Sequence, residues 1–245
     1  MSEPGLLIRS LSGRQSARNF HSFVINEIGQ GVASGAFALG SILPNDAEMI
    51  ERYGVSRTVL REALKTLEAK RMVEARAKVG TRVQPRSRWN LFDRQVLFWI
   101  FHAAPEAGFL ENATEVRRTL ELQATETATR RRTSEQVRMM RYWVQQHDLT
   151  ATMVEPCGLA AYEIHRLVFE ASHNSLLRSA TGIIEFILAS ALRGKMQRGT
   201  EDFAVEKSEL YADLVRLIED GNAARAGEVM DRILTVDEAS LRPTP

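Results

Sequence analysis

Arg57, Thr58 and Arg61 follow Ser56 at a spacing suited to reading a base edge. Ser56 is an N-cap residue type, and the helix it would start carries Val59, Leu60, Ala63, Leu64 and Leu67 on one face. Arg57 and Arg61 are four apart and share the other face. A guanidinium matches the paired acceptors O6 and N7 on the major-groove edge of guanine. Ser56, Thr58 and the helix N-terminus suit phosphate. Lys65, Lys70, Arg71, Arg76, Lys78 and Arg82 add sequence-independent contacts to a polyanion. A basic amphipathic helix with merely solvated arginines would look the same in isolation. Position favours the first reading: this helix starts at a cap, after a short helix and before a hairpin signal.

A second set of residues invites catalytic or metal chemistry and does not support it. Cys157 and His165 are eight residues apart on one helical pattern, about 12 Å along the axis, too far for a nucleophile–base pair or a shared ion. No P-loop, G-x-S-x-G, H-E-x-x-H or G-x-G-x-x-G occurs, so no catalytic residue is expected and an enzyme is excluded. The single cysteine rules out an internal disulfide and a cysteine-built zinc module, and fits a reducing, cytoplasmic setting.

The elements that must position these residues follow from periodicity and punctuation. Residues 1–15 are small, polar and unpatterned, and are expected to fray. A helix runs from about Phe20 with Phe23, Val24, Ile28 and Val32 three to four apart, and Gly35 ends it. Leu39 to Pro44 reads as a turn. Asn45 with Glu48 reads as a capping box opening a short helix that Gly54 closes. The helix from Ser56 to about Ala69 comes next. Residues 72–74 and 81–83 then flank a turn at Lys78, Val79 and Gly80, and residues 86–88 look like a linker. That order is a winged helix-turn-helix.

Beyond residue 90 every pattern is helical: 91–102, 106–132, 134–147, 157–172, 175–197, 202–220 and 223–239. The expected fold is mainly α: an N-terminal winged helix-turn-helix with a small β-wing, over 16–86, and a C-terminal all-α bundle of six or seven helices, over 87–240.

Composition agrees. The 245 residues are 44% hydrophobic and 26% charged, ordinary for a globular chain. The net charge of +1 is a cancellation. Residues 1–88 carry 14 Lys/Arg against 8 Asp/Glu, and the remainder carries 18 against 23, so +6 meets −5. Residues 51–88 hold 11 basic and 4 acidic groups, which places the positive charge on the reading helix and wing. The longest apolar run, Val96 to Phe101, is far short of a bilayer span, and the opening residues lack a signal-peptide pattern.

Ile42-Leu43-Pro44, then Glu48, then GVSRTVLREALKTLE resemble the GntR family of bacterial transcription regulators. The second half resembles the FCD-type ligand domain of its FadR subfamily. WNLFDRQVLFWIF is similar to the linker and first helix of such regulators. Glu115 through Glu121 carry an E-x-R-x-x-x-E pattern. His165 with Ala171, Ser172 and Asn174 matches the His, Ala-Ser and Asn positions of the pattern F-H-x-x-x-x-x-A-S-x-N, and Gly221-Asn222 precedes the last helix. Some positions depart from the family pattern. Ala47 stands where many relatives carry a residue that touches DNA, and the wing tip Lys78-Val79-Gly80 lacks one glycine, a loss that Lys78 can offset at a phosphate.

The resemblance implies a ligand-responsive, homodimeric DNA-binding regulator, a repressor of a palindromic operator released by a small carboxylate such as a sugar acid. Ser56, Arg57, Thr58, Arg61, Lys65, Lys78 and Gly80 would meet DNA. Many FCD domains hold a divalent metal with one Asp and three His. Those positions here are Ala161, His165, Tyr211 and Ile233. One imidazole cannot hold such an ion, so no metal and no cofactor is expected. Arg117, His165, Asn174 and Tyr211 would then bind the effector, with Arg117 gripping its carboxylate. Three alternatives stand: Arg117 pairs with Glu121 on its own helix, and His165 and Tyr211 are core residues; the pocket is degenerate and the chain binds DNA regardless of effector; or a larger apolar ligand, such as an acyl-CoA, takes the pocket.

Overall fold

A computed structural model of the chain describes residues 5–12 and 20–241. Their contacts divide them into two compact units. One comprises α2 (Phe20–Ala33), α3 (Asp46–Tyr53), α4 (Arg57–Ala69), β1 (Val73–Arg76), β2 (Gly80–Val83) and α5 (Arg94–His102). The other comprises α1 (Leu6–Ser10), α6 (Ala107–Arg131), α7 (Ser134–Leu149), α8 (Val154–Ala171), α9 (Ser175–Ser179), α10 (Thr181–Gln197), α11 (Ser208–Asp220) and α12 (Ala223–Leu241).

In the first unit, α2 packs on α4, and Val24, Ile28, Val32, Met49, Leu60, Ala63 and Leu67 form the core. The Asn45 side chain accepts from the Glu48 backbone N–H and caps α3. The return contact of the expected capping box differs: the Glu48 carboxylate accepts from the Asn45 side-chain amide, not from its backbone. Gly54 ends α3 in the left-handed conformation (φ 63°), which a residue with a Cβ rarely adopts. β1 and β2 pair antiparallel in the register Val73 to Val83 through Arg76 to Gly80. The stretch expected to be only a turn also joins this edge. Val83 N donates to Ser41 O, and Leu43 N donates to Thr81 O, so residues 41–43 act as a short third strand.

The first unit extends past the boundary expected near residue 86, to Pro105. The Trp99 ring lies against α2 at Gly29, and its Nε1 donates to Asn26 Oδ1 at 3.0 Å. Lys70 pairs with Asp93 at 2.7 Å. These bonds tie α5 to the winged helix.

In the second unit α8 and α10 are buried on nearly every side, as helices at the centre of a bundle must be. The start of α8 lies three residues ahead of expectation, because Pro156 sits in the first turn, where a missing N–H costs no helical bond. The expected helix 175–197 is two helices. Asn174 caps α9, which stops at Ser179, and α10 begins at Thr181. The expected start at Asp202 moves to Ser208. The Asp202 carboxylate accepts from Ala204 N and Val205 N and holds a turn instead.

The expectation of a frayed start is corrected for residues 5–12; the others up to 15 lie outside the described residues. Leu7 and Ile8 are buried, and Leu7 N donates to the Glu185 carboxylate at 2.7 Å. Ile8 seats on α8 at Gly158, where a Cβ would lie 2.9 Å from the Ile8 side chain.

Candidate nucleic-acid interface and effector site

The Ser56 hydroxyl accepts from Val59 N and caps α4, so Arg57 and Thr58 occupy its first turn. Ser56, Arg57, Thr58 and Arg61 are all exposed, while Leu60, Ala63 and Leu67 on the other face are buried. The side chains of Arg57, Arg61 and Lys78 have no ion pair or hydrogen bond to any described residue. Lys65 pairs with Glu62 at 2.8 Å, both exposed, a link that a phosphate can displace at small cost. Lys78 and Gly80 stand exposed at the wing turn, both with positive φ (61° and 111°). Two further basic candidates are engaged elsewhere in this unit: Lys70 with Asp93, and Arg76 with Glu74 at 2.9 Å.

In the helical unit three of the four expected effector residues come together. Arg117 Nε donates to Glu121 Oε1 at 2.6 Å, and its Nη1 lies 2.9 Å from Asp237 Oδ2. His165 Nδ1 pairs with Glu121 Oε2. His165 Nε2 lies 3.0 Å from the Tyr211 hydroxyl and 3.5 Å from Arg117 Nη2. A guanidinium only donates, so this geometry assigns Nε2 as the acceptor and Nδ1 as the donor to Glu121. Lys207 Nζ donates to Asp237 Oδ1 at 2.7 Å. Asn174 does not join them: its side chain accepts from Leu176 N and Leu177 N at the start of α9.

Two cations, Arg117 and Lys207, thus face two carboxylates, Glu121 and Asp237, in a closed buried network. Burial alone would raise both carboxyls. Lys207 and Arg117 outweigh it at Asp237, and His165 and Arg117 at Glu121, so both sit below their ordinary pKa. Burial likewise opposes the Arg117 charge, but Glu121 and Asp237 hold it firmly ionised. Burial and then Asp237 push the Tyr211 phenol well up, so it stays a hydroxyl donor.

Beside this network lies a cavity of about 10 Å³, the space of one water. His147, Cys157, Lys195, Phe203, Lys207 and Asp237 line it, with Ala161 and leucines of α10. His147 is 1% exposed, and neither ring nitrogen has a hydrogen-bond partner among the described residues. Asp148 Oδ1 is 3.6 Å from Nδ1, too long for a hydrogen bond. Burial, then the nearby Lys207 charge, lowers the His147 pKa to about 4. Burial pushes the Cys157 thiol up to about 11, which leaves it protonated and unreactive.

Comparison with known proteins places this architecture. A profile described as bacterial regulatory proteins, gntR family, matches residues 21–83, and an FCD domain profile matches 112–236, just over half the chain. The chain belongs to the FCD-bearing regulators of the GntR family. The HTH-type transcriptional regulator YieP of Escherichia coli is 44% identical over 91 residues, 36% of this chain and 40% of that one. The galactonate operon transcriptional repressor of Escherichia coli is 28% identical over 155 residues, covering 63% of this chain and 68% of that one. The solved structure of Lar from Listeria monocytogenes shares the fold, with a TM-score of 0.63 at 12% identity over 94% of this chain and all of that one.

For a GntR-family FCD domain the donor set here does not fit a divalent metal. Ala161 and Ile233 supply no ligand atom, and the acceptor nitrogen of His165 faces the Tyr211 hydroxyl and a guanidinium cation. Residue types alone did not single out Lys207, Asp237, Lys195 or His147. The signal was one helical turn away: Lys207 precedes Tyr211 by four, and Asp237 follows Ile233 by four. Each puts a charge beside a metal-ligand position whose own ligand is gone. No helix among the described residues is long and apolar enough to cross a membrane.

Proposed function

We propose that this chain is a cytoplasmic transcription repressor that binds a palindromic operator as a homodimer and leaves it when a small carboxylate, such as a sugar acid, binds the helical unit. The observation that carries the reading is the pair Arg57 and Arg61, exposed and unpaired on the first turns of a capped helix, in the position where a helix-turn-helix enters the major groove. Thr58 and Ser56 reach phosphate or a base there, and Lys65, Lys78 and Gly80 meet the backbone. Similarity to the galactonate operon repressor supports the effector class.

Gel shift and footprinting on the promoter upstream of its own gene test this reading. One palindromic site bound far more tightly than random DNA at physiological salt is expected, with release by galactonate. Equal affinity for every sequence would refute it. Arg57→Ala should cost about 1–3 kcal/mol and relax choice at one base position, whereas Lys78→Ala should lower the salt slope by about one without changing preference.

A second reading is effector-independent DNA binding. The closure of Arg117, His165 and Tyr211 onto Glu121, Asp237 and one another favours it, because each of these three side chains is already engaged inside the buried network. Operator affinity indifferent to every acid tried would select it.

A further inference from the structure

Resting on the reading of this chain as a dimeric regulator of a palindromic operator, we propose that α1 is a latch: seated on α8 and α10, it gives the winged-helix unit a second attachment to the helical unit and so fixes the half-site spacing that the dimer accepts.

The order of the chain carries the first step. The helical unit takes the chain up to Arg14 and again from Glu106, and the winged-helix unit lies between. Residues 103–106 join α5 of that unit to α6 of the helical one. Without α1 in its seat, that link is the one attachment between the units within this chain. With α1 seated, a second link runs from residue 12 to residue 20. Eight residue steps reach at most about 29 Å. A body held at one point pivots in every direction. Held at two, it turns only about the line joining them, within the slack of the links.

The seat carries the second step. Five residues are too few to persist as a helix alone, so α1 forms where it docks. Leu7 and Ile8 are 3% and 0% exposed. Leu7 N donates to the buried Glu185 carboxylate of α10, and Arg9 lies 3.8 Å from Glu155 of α8. The fit is close on both sides: a Cβ at Gly5 would stand 2.5 Å from the Leu159 side chain, and one at Gly158 would stand 2.4 Å from that of Leu192 and 2.9 Å from that of Ile8. Apolar burial, a carboxylate acceptor and close backbone approach thus converge on α1.

The place of the seat carries the third step. It is built from α8 and α10, the helices at the centre of the bundle. A change in how these two pack on each other reshapes the seat, so latch closure and the state of the bundle are linked, and such linkage is reciprocal. Half-sites sit at set separations along DNA, about 34–36 Å or a multiple. Restraint on each winged helix is therefore read out as intolerance of altered spacing.

An operator with two base pairs inserted between its half-sites, compared with the unaltered one, tests the latch. The insertion shifts one half-site by about 7 Å and turns it by about 70°. The unmodified chain should bind the altered operator at least tenfold more weakly. Ile8→Asn, which unseats α1, should cut that penalty to about threefold or less. So should insertion of about twelve Gly/Ser residues between Ser12 and Gly13, which leaves the seat intact and only slackens the link. The thermal midpoint of this second variant should match that of the unmodified chain, which separates lost restraint from lost folding. Trypsin reads the seat directly: cleavage after Arg9 should be at least tenfold faster in Ile8→Asn than in the unmodified chain. A spacing penalty equal in all three proteins, or equal cleavage after Arg9, overturns the latch while operator binding keeps the regulator reading standing. Absence of any palindromic complex overturns the regulator reading, and the role of the latch with it.

Discussion

Single residues in the helical unit carry more charge than the apolar composition around them suggests, and two predictions belong to that scale. His147 has a folded pKa near 4, below the ordinary value of 6.5. Between those values the unfolded chain binds a proton that the folded chain refuses. Stability is therefore whole above pH 6.5 and falls as pH drops toward 4, by roughly 3 kcal/mol from this residue. His147→Leu should flatten that part of the profile, measured by urea denaturation at half-unit pH steps; an unchanged slope between pH 6.5 and 4 would count against a buried neutral imidazole. Glu121 and Asp237, both held below their ordinary pKa, lose their stabilising ionisation at lower pH in either protein. Arg117→Met should cost about 3–5 kcal/mol, because it leaves two buried carboxylates facing one ammonium. A denaturation midpoint close to that of the unmodified chain would show the network to be more hydrated than its burial implies.

At the scale of elements, caps and short apolar pairs decide where helices begin. Ser56 was legible as a cap and Arg57 as the first helical residue, since both depend on neighbours within four positions. The docking of α1 was not legible. Five residues are too few for periodicity to register, and what holds them is a surface on α8 and α10 more than 140 positions away. Ile8→Ala should cost about 2–5 kcal/mol of stability in the helical unit, as for other fully buried aliphatic side chains, with a lower thermal midpoint as the readout. A loss of a few tenths of a kcal/mol would mean that the segment frays after all. The turn at Asp202 has a local origin: its carboxylate takes the backbone N–H groups of Ala204 and Val205 that a helix starting there would need.

At the scale of the whole molecule, the chain divides its charge as it divides its contacts, with the basic excess in the reading unit and the acidic excess in the helical one. A single winged helix buries little DNA surface, so the proposed repressor needs two. Light scattering should give twice 27.5 kDa at micromolar concentration, and an operator cut to one half-site should bind at least a hundredfold more weakly than the palindrome. A monomer that binds both DNAs equally would refute the symmetric arrangement.

The amino-acid sequence by itself determined the winged helix, the exposed arginine pair on its reading helix, the all-helical second half, and the loss of three of the family's four metal-ligand positions. Each of these rests on residue type and on spacings of three, four or two, which local backbone geometry enforces. Only the tertiary structure decided which charges meet. Arg117 pairs with Asp237 across 120 positions and Lys207 with the same carboxylate across 30, so the residue expected to hold a ligand is consumed. Lys195 and His147 are brought to one cavity by the packing of separate helices. In a low-dielectric interior the state of an ionisable group is set by its nearest opposite charge, and that neighbour is chosen by the fold, not by position along the chain.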